Sequence, residues 1–219
     1  MCRASLLLTA AVARAFTSRG GGHVPSRQAS RLVATPKVVV FDLDGCLWEP
    51  EMYQLSWGGG GAPFYPDGDV MISKRNGEAV SLLGDVRSVI AELHTDQRWA
   101  DAIVAISSRT DEPAWARELL DKGFRVDDFA LGDAFSVVEI AKDSKVAHFQ
   151  RIAEKTSVGF EDMVFFDNEL GNCRQISMLG VTVGYCPEGV DDAIWRAALD
   201  AFPAPAGEIV GLDSYGWGR

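Results

Sequence analysis

Cysteine is scarce in this sequence, and no two cysteines have the spacing that metal sites and redox motifs use. The four are Cys2, Cys46, Cys173 and Cys186. None of them forms a CxxC pair, which a zinc ribbon or a thioredoxin-like motif would require. So few and so widely separated thiols exclude a disulfide-based scaffold and favour a reducing compartment.

Acidic residues are absent from positions 1–36, although this segment holds five arginines: Arg3, Arg14, Arg19, Arg27 and Arg31. An arginine-rich, acid-free N-terminus is typical of a targeting leader, so we expect residues 1–36 to direct the protein to an organelle, a plastid or a mitochondrion. The alternative is a disordered tail without a targeting role, which would leave the protein in the cytoplasm.

Basic residues are outnumbered in the rest of the chain. Five of the 21 lysines and arginines belong to the leader, so the rest of the chain has 16 basic residues and all 31 aspartates and glutamates. An acidic body argues against nucleic acid as a partner. No apolar run is long enough to predict a membrane span. Because 47% of the residues are hydrophobic, the chain is able to bury one core, which we place at 37–202, with a tail at 203–219.

Strand-like apolar runs alternate with helical patterns in this core region, which predicts an α/β fold with a parallel sheet. The expected strands are 37–42, 102–107, 163–167 and 181–185, with a weaker candidate at 128–131. Expected helices include one around 86–93, one capped by Asp111 and ending at Gly123, one capped by Ser144, and one at 190–201.

The stretch 48–81 does not follow this alternation. It is glycine-rich, contains five aromatic residues and has no convincing helical pattern. Asn76-Gly77 lies between short alternating segments and predicts a two-residue hairpin turn. We therefore expect a β-hairpin flap whose aromatics either line a substrate entrance or only pack the flap onto the body.

Two carboxylates follow the first buried run. The sequence VVVF at 38–41 continues into Asp42-Leu43-Asp44-Gly45, and ligands of open α/β sheets bind beyond the carboxyl ends of the strands. One carboxylate is then able to attack an electrophile while the other serves as acid and base. The alternative is an ordinary polar turn, since Asp and Gly are common in turns.

Further polar residues follow the other expected strands. Ser108 and Arg109 lie after the second strand, where hydroxyl, guanidinium and backbone N–H groups suit phosphoryl oxygens, although an ordinary loop is the alternative. Asp167 and Asn168 end another buried run and supply oxygen ligands of the kind Mg²⁺ prefers. Lys145 lies in the first turn of a helix, where the helix dipole disfavours a cation, so a role in neutralising phosphate is an alternative to a solvated lysine.

Together these motifs resemble, in order, the four motifs of the haloacid dehalogenase superfamily, and most closely its magnesium-dependent phosphatase family, a branch without a cap. The resemblance covers about 37–202. It implies a Rossmann-like, doubly wound parallel sheet with no large cap domain. The residues that carry it are Phe41-Asp42-Leu43-Asp44, Leu47-Trp48, Asn76-Gly77, Ser108-Arg109-Thr110, Ser144-Lys145 with His148-Phe149, Phe165-Phe166-Asp167 and Leu179-Gly180-Val181-Thr182.

The resemblance implies a phosphomonoester hydrolase. Asp42 would form an aspartyl-phosphate, and Asp44 would protonate the leaving oxygen and later activate water. Protein phosphotyrosine and small sugar phosphates would be the substrates. The implied Mg²⁺ ligands are Asp42, the Asp44 carbonyl and the acid position at Asp167-Asn168, and the implied phosphoryl-binding residues are Ser108, Arg109 and Lys145.

Two positions depart from the family pattern. Asn168 stands where the family usually has the second of two acids, so the site loses one negative charge and magnesium affinity would fall. Cys46 replaces the more usual threonine and donates only a weak hydrogen bond. These departures keep open an alternative function, a catalytically weak module on the same fold that binds a phospholigand or a protein partner.

Overall fold

The computed structural model describes residues 34–215. The expected targeting leader therefore lies almost wholly outside the described residues. The strands are β1 Val38–Phe41, β2 Trp48–Glu49, β3 Phe64–Asp67, β4 Val70–Ser73, β5 Ala79–Leu82, β6 Ile103–Ser108, β7 Arg125–Val126, β8 Phe129–Ala130, β9 Val137–Ile140, β10 Met163–Asp167, β11 Thr182–Tyr185 and β12 Ile209–Val210. The helices are α1 Met52–Trp57, α2 Val86–Thr95, α3 Pro113–Glu118, α4 Lys145–Thr156, α5 Leu170–Ser177 and α6 Asp192–Ala201.

A six-stranded parallel sheet in the order β12-β11-β10-β1-β6-β9 forms the centre of the fold. Because β1 lies between β10 and β6, Phe41 is paired with Phe166 on one side and Ile106 on the other. The four main strand predictions are confirmed to within a residue or two at each end. Polar residues that follow β1, β6 and β10 therefore meet at one edge of the sheet.

Both faces of this sheet are covered. Val39 and Phe41 belong to one hydrophobic cluster, whereas Val38 and Val40 belong to another. A strand whose alternate residues are buried on opposite sides is typical of parallel sheets with helices on both faces. The doubly wound α/β prediction is confirmed, and no large cap domain occurs in the described residues.

The edge strand next to β6 differs from the expectation. Residues 128–131 contribute β8, which pairs only with β7 in a separate two-stranded ribbon, and β9 occupies the sheet edge instead. The run that forms β9 is short and contains Glu139, which sequence patterns disfavour in a strand. Glu139 is nevertheless buried, because Arg151 at 2.7 Å and Lys155 pair with its carboxylate.

The expected tail at 203–219 is wrong for the part that the structure describes. Strand β12 extends the central sheet by pairing with β11, and the Ala204 amide donates to Thr182 Oγ1 at 2.9 Å. Two strand residues among prolines and glycines are too few to give a periodic signal, so the segment resembles a tail in sequence alone.

The helix predictions need smaller corrections. The cap at Ser144 is confirmed, since its Oγ accepts from the Ala147 amide at 3.1 Å. Helix α3 begins after Glu112 rather than Asp111, and a π-helical turn carries the chain on to Gly123. Helix α5, which was not expected, follows β10 directly. No helix in the described residues has the length and apolar character to cross a bilayer.

The flap at 48–81 is more elaborate than a hairpin. It is an antiparallel sheet in the order β2-β5-β4-β3 and also contains α1, whose six residues are too few for a reliable helical pattern. Asn76 and Gly77 lie in the longer loop 74–78, so the two-residue turn predicted there is wrong. The two-residue turn occurs at Gly68 and Asp69, where Asp67 pairs with Val70.

The flap aromatics divide between the two expected roles. Trp48 and Phe64 are buried in the hydrophobic core. Tyr53 lines the cavity described below. Trp57 and Tyr65 are exposed. The flap is thus held to the body by some of its aromatics and presents one of them to the cavity.

Candidate active site

A polar cavity of about 210 Å³ lies at the carboxyl edge of β1, β6 and β10, beneath the flap. This is the edge at which ligands of parallel α/β sheets bind. Its lining residues are Asp42, Asp44, Glu51, Tyr53, Ser108, Arg109, Thr110, Asp111, Lys145, Asn168, Glu169 and Asn172. Six of the seven residues expected in the site line it, and the seventh, Asp167, lies directly beneath.

Asp42 and Lys145 form the centre of the site. The Lys145 Nζ donates to Asp42 Oδ1 at 2.6 Å and to the carbonyl oxygen of Ser107. It also lies 3.1 Å from Asp167 Oδ2. One ammonium group therefore joins the ends of all three central strands, 103 residues along the chain from the first carboxylate.

Lys145 is buried, with 1% of its surface exposed. Burial on its own would lower the pKa of Lys145, but the carboxylates of Asp42 and Asp167 outweigh burial and raise it. The lysine is therefore charged at neutral pH. A buried cation between two anions is stable only while all partners are present, so this group is a fixed positive charge at the base of the cavity.

Asp44 is a cavity carboxyl group with a raised pKa. Burial, followed by repulsion from Asp42, raises the pKa of Asp44 to about 6, against opposing hydrogen bonds from Thr110, Trp48 and the Met52 amide. The indole Nε1 of Trp48 donates to Asp44 Oδ1 at 2.7 Å. A carboxyl group with this pKa exchanges its proton near neutral pH, which suits an acid and base.

Asp167 has few free acceptor positions. Its Oδ1 accepts from the Glu169 amide at 2.7 Å, and its Oδ2 accepts from Asn172 Nδ2 at 3.0 Å and from Lys145. The side chain is fully buried. Burial raises the pKa of Asp167 despite the opposing charge of Lys145. The geometry makes Asp167 a support for the residues around it.

Asn168, in contrast to Asp167, has a side-chain oxygen that accepts no hydrogen bond in the described residues. This oxygen, Oδ1, is buried. Gly45, at φ +72°, approaches it so closely that a Cβ there would lie 2.2 Å from Asn168 Nδ2. Glycine at position 45 thus lets the loop after β1 close over the asparagine. An unpartnered buried oxygen is uncommon in proteins and indicates a ligand.

The oxygen atoms in this cavity fit magnesium. Asp42, Asn168 and the main chain at Asp44 offer carboxylate, amide and carbonyl oxygens, which are hard donors suited to Mg²⁺. No group of three or more His, Cys, Asp or Glu side chains with metal-site geometry occurs within residues 34–215. A site that uses an amide and a backbone carbonyl has fewer such side chains.

Ser108, the last residue of β6, and Arg109, which follows it, also line the cavity. Ser108 is 1% exposed and its Oγ accepts from the Thr110 amide at 3.2 Å. Arg109 is exposed and forms no ion pair with any described residue. Arg109 and the buried Lys145 are the two positive charges among the residues that line the cavity.

Cys46 lies in the loop that follows β1 and Asp44. Its Sγ is 3.4 Å from the Phe166 carbonyl oxygen and 3.7 Å from Cys186 Sγ. Burial raises the pKa of the Cys46 thiol well above its usual range. The thiol is therefore neutral and a weak hydrogen-bond donor.

Several cavity residues were missed by the motif reading. Glu51 comes from the flap and Asn172 comes from helix α5, and neither segment gave a clear pattern. Asp111 was expected only as a helix cap, yet it lines the mouth and pairs with Lys142. The signal that could have found Glu51 is its position a few residues after Asp44, at the start of the flap.

Comparisons with known proteins agree with this geometry. The family model described as Acid Phosphatase matches residues 34–204. Human Magnesium-dependent phosphatase 1 is 33% identical over 167 residues, which cover 76% of this chain and 87% of that protein. A Schizosaccharomyces pombe protein named as a member of the HAD-like hydrolase superfamily is 33% identical over 153 residues, covering 67% of this chain and 83% of its own.

Solved structures support the fold. A haloacid dehalogenase-like family hydrolase from Xanthomonas campestris has a TM-score of 0.52 at 18% identity, covering 80% of this chain and 99% of its own. A Bacteroides thetaiotaomicron enzyme of the HAD family, solved with magnesium and inorganic phosphate, has a TM-score of 0.51 at 15% identity, with coverage of 72% and 98%. At these identities the likeness concerns the fold alone.

Proposed function

We propose that this chain hydrolyses phosphomonoesters through a phosphoryl group carried on Asp42. The chain belongs to the acid phosphatase family and is a magnesium-dependent phosphatase of the haloacid dehalogenase superfamily. The observation that carries the proposal is the position of Lys145 Nζ, 2.6 Å from Asp42 and 3.1 Å from Asp167 at the base of the cavity. This arrangement holds one carboxylate at a site lined by phosphate-binding groups.

In the first step, an Asp42 carboxylate oxygen forms a bond to phosphorus as the bond to the leaving oxygen breaks. Asp44, whose raised pKa keeps a proton available, donates that proton to the leaving oxygen. In the second step, water attacks phosphorus and gives a proton back to Asp44. The bond from Asp42 to phosphorus then breaks, which releases phosphate and restores both carboxyl groups.

The positive groups of the site oppose the charge of the phosphoryl oxygens. Lys145 would contact them from the base, while Ser108 and Arg109 would bind them from the wall after β6. Preorganised charges in a partly enclosed cavity are worth more than the same charges in water. Lys145 also orients Asp42 before substrate binds, because it fixes one of the two carboxylate oxygens.

Magnesium would be held by the Asp42 carboxylate, the Asp44 carbonyl and Asn168 Oδ1. The unpartnered buried oxygen of Asn168 supports Asn168 over Asp167 as the direct ligand, because donors already surround the Asp167 carboxylate. When bound, Mg²⁺ supplies positive charge that lets an anionic carboxylate approach an anionic phosphate.

Protein phosphotyrosine and small sugar phosphates are the substrates we propose. The cavity has no large cap in the described residues, which suits a bulky phosphoester. Tyr53 lines the cavity beside the catalytic residues and offers a ring face to an aryl or sugar group.

A panel of phosphomonoesters assayed with Mg²⁺ tests the function. We expect phosphate release from phosphotyrosine peptides or hexose phosphates that EDTA abolishes. Asp42→Asn should remove turnover in protein that is still folded at the assay temperature, although Lys145 loses one carboxylate partner and the Tm should fall. Turnover that survives in Asp42→Asn would overturn the assignment of the nucleophile.

The leader is proposed to target the protein to an organelle. The family match begins at residue 34, so the arginine-rich segment lies outside the catalytic domain. Residues 1–36 fused to a fluorescent protein should direct it to plastids or mitochondria, and diffuse cytosolic fluorescence would refute this.

A further inference from the structure

The cavity has an excess of negative charge that the proposed reaction does not need. Five carboxylates line it, and only Arg109 and Lys145 carry positive charge. Chemistry at phosphorus uses Asp42 and Asp44. The remaining three acids are Glu51, Asp111 and Glu169.

Two of these three acids already have partners. Asp111 pairs with Lys142, and Glu169 Oε2 accepts from Asn172 Nδ2 at 2.9 Å. Glu51 differs from both. No lysine or arginine forms an ion pair with its side chain within the described residues, and the charged groups that act on it are the carboxylates of Asp44, Glu169 and Asp42. Of these three acids, Glu51 is therefore the one that no lysine, arginine or amide side chain pairs with in the described residues.

The surroundings of Glu51 extend this negative surface. A second, smaller cavity of about 180 Å³ shares Glu51 and Asn168 with the first. It is also lined by Glu49 and Glu188 and by no lysine or arginine. A cationic group leaving the catalytic cavity on this side would meet carboxylates, whereas an anionic group would meet repulsion without compensation.

Glu51 lies on the side of the cavity that would contact the leaving group. It lies on the flap between β2 and α1, two residues before Tyr53, which lines the same cavity. Asp42 and Lys145 lie on the sheet side. The phosphate would therefore bind against the body, and the group attached to it would contact the flap.

We propose that Glu51 determines leaving-group specificity: it favours phosphomonoesters whose leaving group carries a cationic group close to the phosphate and disfavours those that carry a second anion. This inference rests on the proposed function. It predicts a preference for substrates with an ammonium or flanking basic residue over bisphosphates and phosphorylated carboxylic acids.

The test uses three aryl phosphates that differ in one terminal group: phosphorylated tyramine, 4-propylphenyl phosphate and 3-(4-phosphonooxyphenyl)propionate. Their phenols have similar acidity, so the chemical step is matched. We expect kcat/KM to fall in that order in the full-length, Mg²⁺-loaded protein. In Glu51→Gln the ratio of the cationic to the anionic substrate should shrink by about tenfold, since each loses roughly a three- to fivefold electrostatic effect.

The controls separate specificity from other roles. Glu154→Gln removes the same charge from the exposed side of α4 and should leave the ratio unchanged. Ratios within one variant cancel any general loss of activity, and the change should appear in KM more than in kcat. Glu51→Asp should retain part of the preference.

Three results would count against the inference. Equal ratios in wild type and Glu51→Gln would overturn it. A uniform loss across all three substrates together with a higher Mg²⁺ requirement would assign Glu51 to the metal instead. If Mg²⁺-loaded protein hydrolyses none of the three, the proposed function fails and this inference fails with it.

Discussion

Replacing Asn168 with Asp tests the metal ligand assignment. The Asn168 amide oxygen is buried and unpartnered beside Asp42 and Asp44. Asp has the same shape, so the substitution changes charge with little change in packing. Without metal, a further carboxylate beside Asp42 and Asp44 should destabilise the protein, by about 1 to 4 kcal/mol for charges near 4 Å at an effective dielectric between that of water and a protein surface.

Magnesium should have the opposite effect on the stability of the variant. A carboxylate is a stronger ligand for Mg²⁺ than an amide, and a gain of about 1.4 kcal/mol is a tenfold lower Kd. Saturating Mg²⁺ then stabilises the variant by about 1.4 kcal/mol more than it stabilises wild type. For a domain of this size that difference is roughly 3 to 5 °C of additional Tm shift.

The assay is thermal unfolding across a Mg²⁺ titration, with calorimetric titration for Kd. Asn168→Asp should have a lower Tm than wild type in EDTA and a larger increase on adding Mg²⁺. Gln175→Glu, which adds one charge on the exposed side of α5, should change neither. A magnesium shift equal to or smaller than that of wild type would refute direct ligation by position 168.

Other perturbations follow from the same geometry. Lys145→Met leaves Asp42 and Asp167 buried without their cation, so urea unfolding at pH 7 should show a loss of about 3 to 5 kcal/mol that shrinks in acid; an unchanged midpoint would contradict the buried ion pair. Because the folded pKa of Asp44 is raised to about 6 from 3.8, the native state holds the proton more tightly. Metal-free stability should therefore fall as pH rises from about 4 to about 6, and Asp44→Asn should flatten that decline in urea titrations. A thiol reagent should label Cys46, Cys173 and Cys186 only as fast as the protein unfolds, since burial raises the pKa of all three thiols, and rapid labelling of any of them in native protein, mapped by peptide, would contradict this.

The central part of the fold was predictable because its strands are continuous apolar runs. Strands β1 and β10 are fully buried on both faces, so their sequences contain no polar interruption until Asp42 and Asp167. Parallel strands align their carboxyl ends, and the convergence of the motif residues follows from that alone.

The elements that sequence patterns missed are short or depend on partners distant in sequence. Strand β12 has two residues and α1 has six, too few to establish a period. Strand β9 includes an acid that is tolerated only because Arg151 and Lys155 neutralise it.

The same limit applies to the site. The motifs identified Lys145 as a phosphate-binding candidate, but its contact with Asp167 depends on tertiary packing. The distinction between Asp167 and Asn168 likewise required knowing which oxygen already had donors. Glu51 belongs to no motif, and only the folded flap brings it to the cavity.

Trapping the phosphoryl group tests the central claim most directly. Asp44→Asn lacks the base for the second step, so rapid quenching of this variant with a good aryl phosphate and Mg²⁺ should leave one phosphoryl group on the peptide that contains Asp42. Asp42→Asn under the same conditions should carry none. A phosphoryl group found on another residue, or none in Asp44→Asn during demonstrable turnover, would contradict the account.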